Sequence, residues 1–151
     1  MRSKVKIAGH PIHPMLVAFP VAFYTATLVC YIVYCFRGDP FWFKVAVVAN
    51  IAGVLTALVA AIPGFIDWLF IPSDASAKKT GLFHMVANVV ALVCYTIVAF
   101  TVYNKWDDAE PTLGLAIPLT AVGFSLTMIA GFLGWALIQK HHVGVDDVAQ
   151  N

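Results

Sequence analysis

The chain is 151 residues long, 61% hydrophobic and only 11% charged, with a mean hydropathy of +0.85. An ordinary soluble domain carries about 25% charged residues, so this composition excludes a water-solvated fold and demands a bilayer. The formal net charge of +1, with no basic patch outside short connecting segments, also excludes nucleic acid as a partner.

Four stretches contain no Asp, Glu, Lys or Arg: Pro14 to Phe36, Val45 to Ile66, Thr80 to Tyr103 and Pro111 to Gln139. Each exceeds the roughly 20 residues that a helix needs to cross about 30 Å of hydrocarbon. They predict transmembrane helices over about 14–36, 45–68, 80–103 and 111–139. The polar links between them are short, so neighbouring helices run antiparallel. The fold expected is an all-α integral membrane bundle of four antiparallel helices, a single domain over residues 1–151.

Ahead of the first helix stands Gly9-His10-Pro11-Ile12-His13-Pro14. A residue before proline is pushed out of the helical region, and proline suits the first helical position. His13 is therefore expected as the N-cap, with His10 on a proline-stiffened arm above it. Arg2, Lys4 and Lys6 precede the apolar run, but the run is too long for a signal-peptide core and is read as a retained span. The second helix carries the small-residue row Gly53, Ala57, Ala60 and Gly64, and ends on Asp67, which is costly at membrane depth unless paired. The third opens on His84, with Asn88 a turn deeper on the same face. The fourth has the row Gly123, Thr127, Gly131 with Gly134 beside it, and ends before His141 and His142 in a polar tail. Pro20, Pro63 and Pro118 predict kinks. Cys30, Cys35 and Cys94 form no Cys-x-x-Cys pair and are read as small buried residues. No internal repeat stands out.

All five histidines fall on the rim that bears both termini. That rim also carries Arg2, Lys4, Lys6, Lys78, Lys79 and Lys140, against Arg37, Lys44 and Lys105 opposite. Six basic residues against three put the termini in the cytoplasm. Trp42 and Trp106 at one rim, with Trp68 and Trp135 at the other, are expected as interfacial anchors. Three helices can bring His10, His13, Asp67 and His84 together at the terminal rim, where the positive ends of helix dipoles favour the neutral imidazole that a metal requires. The structural alternative makes His13 a plain cap, His84 an interfacial polar residue and Asp67 a satisfied helix-end group.

The Gly-His-Pro-Ile-His-Pro opening, Pro20, the Gly64-x-x-Asp67-Trp68 segment and His84 at the start of the third helix resemble small bacterial membrane proteins grouped as domain of unknown function 2231. The resemblance covers essentially the whole chain. Relatives of that kind occur joined to Rieske-type or c-type cytochrome domains, which implies electron transfer. The leading expectation is a membrane protein holding haem b and relaying electrons to or from quinone or a redox partner protein. Its ligands would be His13 and His84, with His10 the alternative to His13, Asp67 beside the site, and Gly64 and Asn88 lining it. The runner-up is a non-haem iron, zinc or copper site built from His10, His13, His84 and Asp67. A small transporter or assembly subunit is a third reading, weakened by the lack of an ionisable residue at mid-membrane. Whether the chain is an enzyme stays open. The expected setting is a bacterial inner membrane, with a homodimer through the small-residue face of the second or fourth helix.

Overall fold

The structure, a computed structural model, describes residues 3–73 and 76–144. It opens on a short antiparallel hairpin, β1 (Lys6–Ile7) and β2 (His10–Pro11), pairing Lys6 with Pro11 and Ile7 with His10. Between them Ala8 and Gly9 have φ of 49° and 83°, the two positive values that a two-residue primed turn needs. The first span is α1 (Ile12–Leu16) followed by α2 (Ala18–Arg37). The others are α3 (Pro40–Leu69), α4 (Ser76–Tyr103) and α5 (Ala116–Gln139). All four are long and apolar enough to cross a membrane. The architecture is the expected four-helix membrane bundle.

Element limits differ from the charge-free stretches where capping chemistry intervenes. The α3 helix starts ahead of Lys44 because Asp39 accepts a hydrogen bond from the Phe41 amide at 2.9 Å and Pro40 occupies the first turn. Residues 111–115 stay outside α5, with Gly114 at φ 51°. Proline effects are narrower than expected. Pro20 and Pro118 each sit third in their helices, where a missing N–H leaves little unsatisfied, so only Pro63 is interior. Pro20 cannot bond the Leu16 carbonyl, and the first span breaks there, at Val17. His13 is not the N-cap. Pro11 takes that position without a side-chain bond, and His13 is the second residue of α1.

The helices pack as two hairpins, α2 with α3 and α4 with α5. The α3–α4 and α2–α5 contacts close the ring, so α2 and α4 face each other across its diagonal. The two hairpins are equivalent, which corrects the expectation of no repeat. Tyr24 follows His13 by eleven residues, and Tyr95 follows His84 by eleven. Gly64 follows Gly53 by eleven, and Gly134 follows Gly123 by eleven. In each hairpin the histidine ring lies on the second glycine and the tyrosine ring on the first. A Cβ on Gly53 or Gly123 would meet the Tyr24 or Tyr95 ring at 2.6 or 2.8 Å. Since both hairpins run in the same direction, an approximate two-fold axis along the membrane normal relates them. On that axis the Tyr24 and Tyr95 rings stack with centroids 3.6 Å apart and parallel planes.

Around and beyond this stack the interior is tight and partly polar. Tyr31, Phe43, Val98, Val102 and Ala116 are fully buried in one cluster. Asn50, also fully buried, donates from Nδ2 to the Tyr95 carbonyl at 3.1 Å and ties α3 to α4. The outward side chains, among them Leu55, Leu58, Ile62, Val89, Val93 and Ile129, are exposed. In lipid that exposure is solvation rather than cost. Cys30 and Cys94 are buried as expected; Cys35 is exposed.

Candidate functional site: a pair of histidines on the bundle axis

The site begins with two glycines. A Cβ at Gly64 would lie 2.6 Å from Cε1 and 2.7 Å from Nδ1 of His13, so only glycine lets that ring lie against α3. Laid there, His13 Nδ1 reaches the Ala60 carbonyl, one turn back on the same helix, at 2.8 Å. The second hairpin repeats the arrangement. His84 lies over Gly134, where a Cβ would meet its ring at 3.2 Å, and His84 Nδ1 reaches the Ala130 carbonyl at 2.8 Å. A carbonyl only accepts, so Nδ1 carries the proton in both rings and the lone pair sits on Nε2. Such Nδ1–H to carbonyl bonds hold the tautomer and orientation of histidines that ligate metals.

The two rings meet across the bundle, with centroids 6.1 Å apart and planes 89° to one another. Beside the pair, Asn88 Nδ2 donates to its own helix at the His84 carbonyl, 2.9 Å away, and lies 3.2 Å from His84 Nε2. Of the residues singled out in the sequence, His13, His84, Gly64 and Asn88 are thus brought together.

Asp67 and His10 are not, which corrects the expected convergence of four ligands. Asp67 accepts from the Ser3 hydroxyl at 2.7 Å and from the amides of Lys4 and Val5 at 2.7 and 3.4 Å. Its charge is spent on pinning the N-terminal segment to the end of α3. His10 is exposed on β2, with Nδ1 bonded to the Ala8 carbonyl at 2.9 Å. Among the described residues no group of three or more His, Cys, Asp and Glu side chains is placed to hold a metal. His141, read as a solvated tail residue, instead lies within 3.4 Å of the Ser76 and Thr80 hydroxyls and links the end of α5 to α4. Trp68 is less a lipid anchor than a loop anchor: its indole donates to the Lys78 carbonyl at 3.2 Å, and Lys78 Nζ stands 3.9 Å over its ring.

Sequence reasoning missed Gly134 as the partner of His84, the Ala60 and Ala130 carbonyls, and the tyrosine stack. The signal was available. A His-x10-Tyr-Thr spacing occurs twice, at His13, Tyr24 and Thr25 and at His84, Tyr95 and Thr96. Both threonines make the same bond, to the carbonyl four residues back at 2.7 Å.

The fold and the site together define a polytopic four-helix membrane protein whose two halves each present one imidazole to a common axis. The chain belongs to the DUF2231 family of predicted membrane proteins, whose profile matches residues 9–147. No curated protein and no solved structure gives a match.

Proposed function

We propose that the chain is a b-type haem protein that relays electrons within or near the bilayer, with His13 and His84 as axial ligands. The observation that carries this reading is a donor set of two: paired imidazoles whose Nδ1 protons are held by backbone carbonyls, 6.1 Å apart, with no third ligand beside them among the described residues. A zinc, copper or non-haem iron centre ordinarily draws three or four donors from the protein. Haem iron needs only two, because the macrocycle supplies the rest. The donor chemistry present therefore fits haem better than the mixed set of His10, His13, His84 and Asp67. Bound haem would supply reversible one-electron transfer.

The protein's part is to hold and orient. The Ala60 and Ala130 carbonyls aim both rings and raise their basicity as ligands. Gly64 on α3 and Gly134 on α5, having no side chain, let each ring lie against its neighbouring helix. His13 is preferred over His10 because its ring is already turned into the bundle, whereas His10 is exposed.

The same reading puts the chain in a bacterial inner membrane with cytoplasmic termini, on the six-to-three bias of basic residues. Its electrons would pass to or from quinone or a partner redox protein. A homodimer would have to use surface other than Gly53, Gly64, Gly123 and Gly134, since rings already cover these. Gly131, exposed and with nothing within 4 Å of a Cβ, is the part of the row left for it.

The test is the visible spectrum of protein purified in mild detergent with haem added. Reduced wild type should show the sharp bands of a six-coordinate low-spin centre. His13→Ala and His84→Ala should each abolish or convert them, while His10→Ala and His141→Ala leave them intact. Wild type without a Soret band would sink the haem reading; loss on His10→Ala with retention on His13→Ala would reassign the ligand.

A further inference from the structure

One hydrogen bond of the site has no counterpart in the other half. Four residues beyond His84, on the face that meets its ring, stands Asn88; the corresponding residue beyond His13 is Val17. Asn88 is anchored by donating one N–H to the His84 carbonyl at 2.9 Å, which directs its second N–H toward His84 Nε2 at 3.2 Å. Since His84 Nδ1–H is bonded to Ala130, that Nε2 lone pair is the one a metal would use. No corresponding donor reaches His13 Nε2 among the described residues, and a valine offers none.

We propose that Asn88 makes His84 the exchangeable ligand of the pair, leaving a position for a small uncharged diatomic molecule on the His84 side; the inference rests on the haem reading above. The physical reason is competition for one lone pair. Were His84 Nε2 to hold the iron, Asn88 would lose that acceptor; with the ring free, Nε2 keeps the hydrogen bond from Asn88. The released state is therefore stabilised on this side and not on the His13 side, where Val17 gives nothing back. Asn88 is thus a positioning residue. It acts through His84 and sets which of the two imidazoles yields.

Two measurements on the full-length protein test this. The first needs no haem: histidine 15N spectra of the apoprotein in detergent should show both rings in the Nδ1–H form, with His84 Nε2 displaced from His13 Nε2 in the direction of an accepted hydrogen bond. Asn88→Leu, close to isosteric, should erase that difference. The second titrates the reduced, haem-loaded protein with carbon monoxide. Wild type should bind it with the bands of the two-histidine centre giving way to those of a carbonyl complex, and Asn88→Leu should bind it roughly three- to tenfold more weakly, the scale of one net hydrogen bond. Val17→Asn, which builds the same donor beside His13, should restore or exceed wild-type uptake and guards against a fold defect in a single variant. Wild type with no Soret band removes the haem reading and this inference with it. A normal Soret band with equal carbon monoxide affinity in wild type and Asn88→Leu, or His84 and His13 Nε2 signals that do not differ, leaves the haem reading standing and overturns the role of Asn88 alone.

Discussion

Replacing each site glycine by alanine tests the reasoning on which the histidine pair stands, because the two substitutions are chemically identical and the structure makes them unequal. At Gly64 the new methyl would sit 2.6 and 2.7 Å from Cε1 and Nδ1 of His13, closer than real Cβ contacts allow. The ring cannot slide away without giving up its 2.8 Å bond to the Ala60 carbonyl. Overpacking of this kind costs about 1–3 kcal/mol, and the forfeited bond about 1 kcal/mol. Alanine returns about 1 kcal/mol through its higher helix propensity, which leaves Gly64→Ala destabilised by roughly 1–3 kcal/mol. At Gly134 the nearest His84 atoms would be 3.2 and 3.4 Å away, a few tenths of an ångström tight. There the propensity gain roughly offsets the crowding, and the net change should stay within about 0.5 kcal/mol. Unfolding of the detergent-solubilised protein by thermal scan or by denaturing detergent measures both, and haem retention should fall in the same order. Equal losses in the two variants, or a harmless Gly64→Ala, would refute the packing of His13 on α3.

Further outcomes follow from other contacts. Asp67→Ala should free the N-terminal segment, so amide exchange at Lys4 and Val5 should accelerate while the His13–His84 site is unchanged; unchanged exchange would mean that Asp67 is not the anchor. Asn50→Leu removes one bond to the Tyr95 carbonyl but also an acceptor, Oδ1, that has no partner in the bundle. Its stability should change by no more than about 1 kcal/mol, and a larger loss on unfolding would show that the amide is better satisfied than that. A cysteine introduced at Ser76 should react with a cytoplasmic thiol reagent and one at Asn104 with an external one; the reverse pattern would invert the proposed orientation.

The spans were legible from the sequence because bilayer thickness and the cost of charge in hydrocarbon act on local composition, with no need to know what touches what. The rim that collects the histidines could be read for the same reason. The ends of the helices were less legible. Asp39 capping α3 through Phe41 and the break at Val17 depend on individual backbone bonds that a charge-free window does not register.

The site divides along the same line. His13 and His84 were readable as polar groups at one membrane surface, where such residues need a reason. Proximity along the chain and at the rim grouped Asp67 and His10 with them, but only packing could separate the four. Asp67 is claimed by Ser3, Lys4 and Val5, and His10 is held away on the β-turn hairpin. The duplicated design was written in the spacing of His, Tyr and Gly yet was invisible to a one-dimensional reading. What marks it is the docking of each ring on a glycine of the neighbouring helix, 51 residues away in sequence for His13 and 50 for His84. Hydropathy determines that a helix crosses; it is close interhelical packing, with glycines admitting rings and backbone carbonyls aiming them, that decides which two imidazoles share the axis.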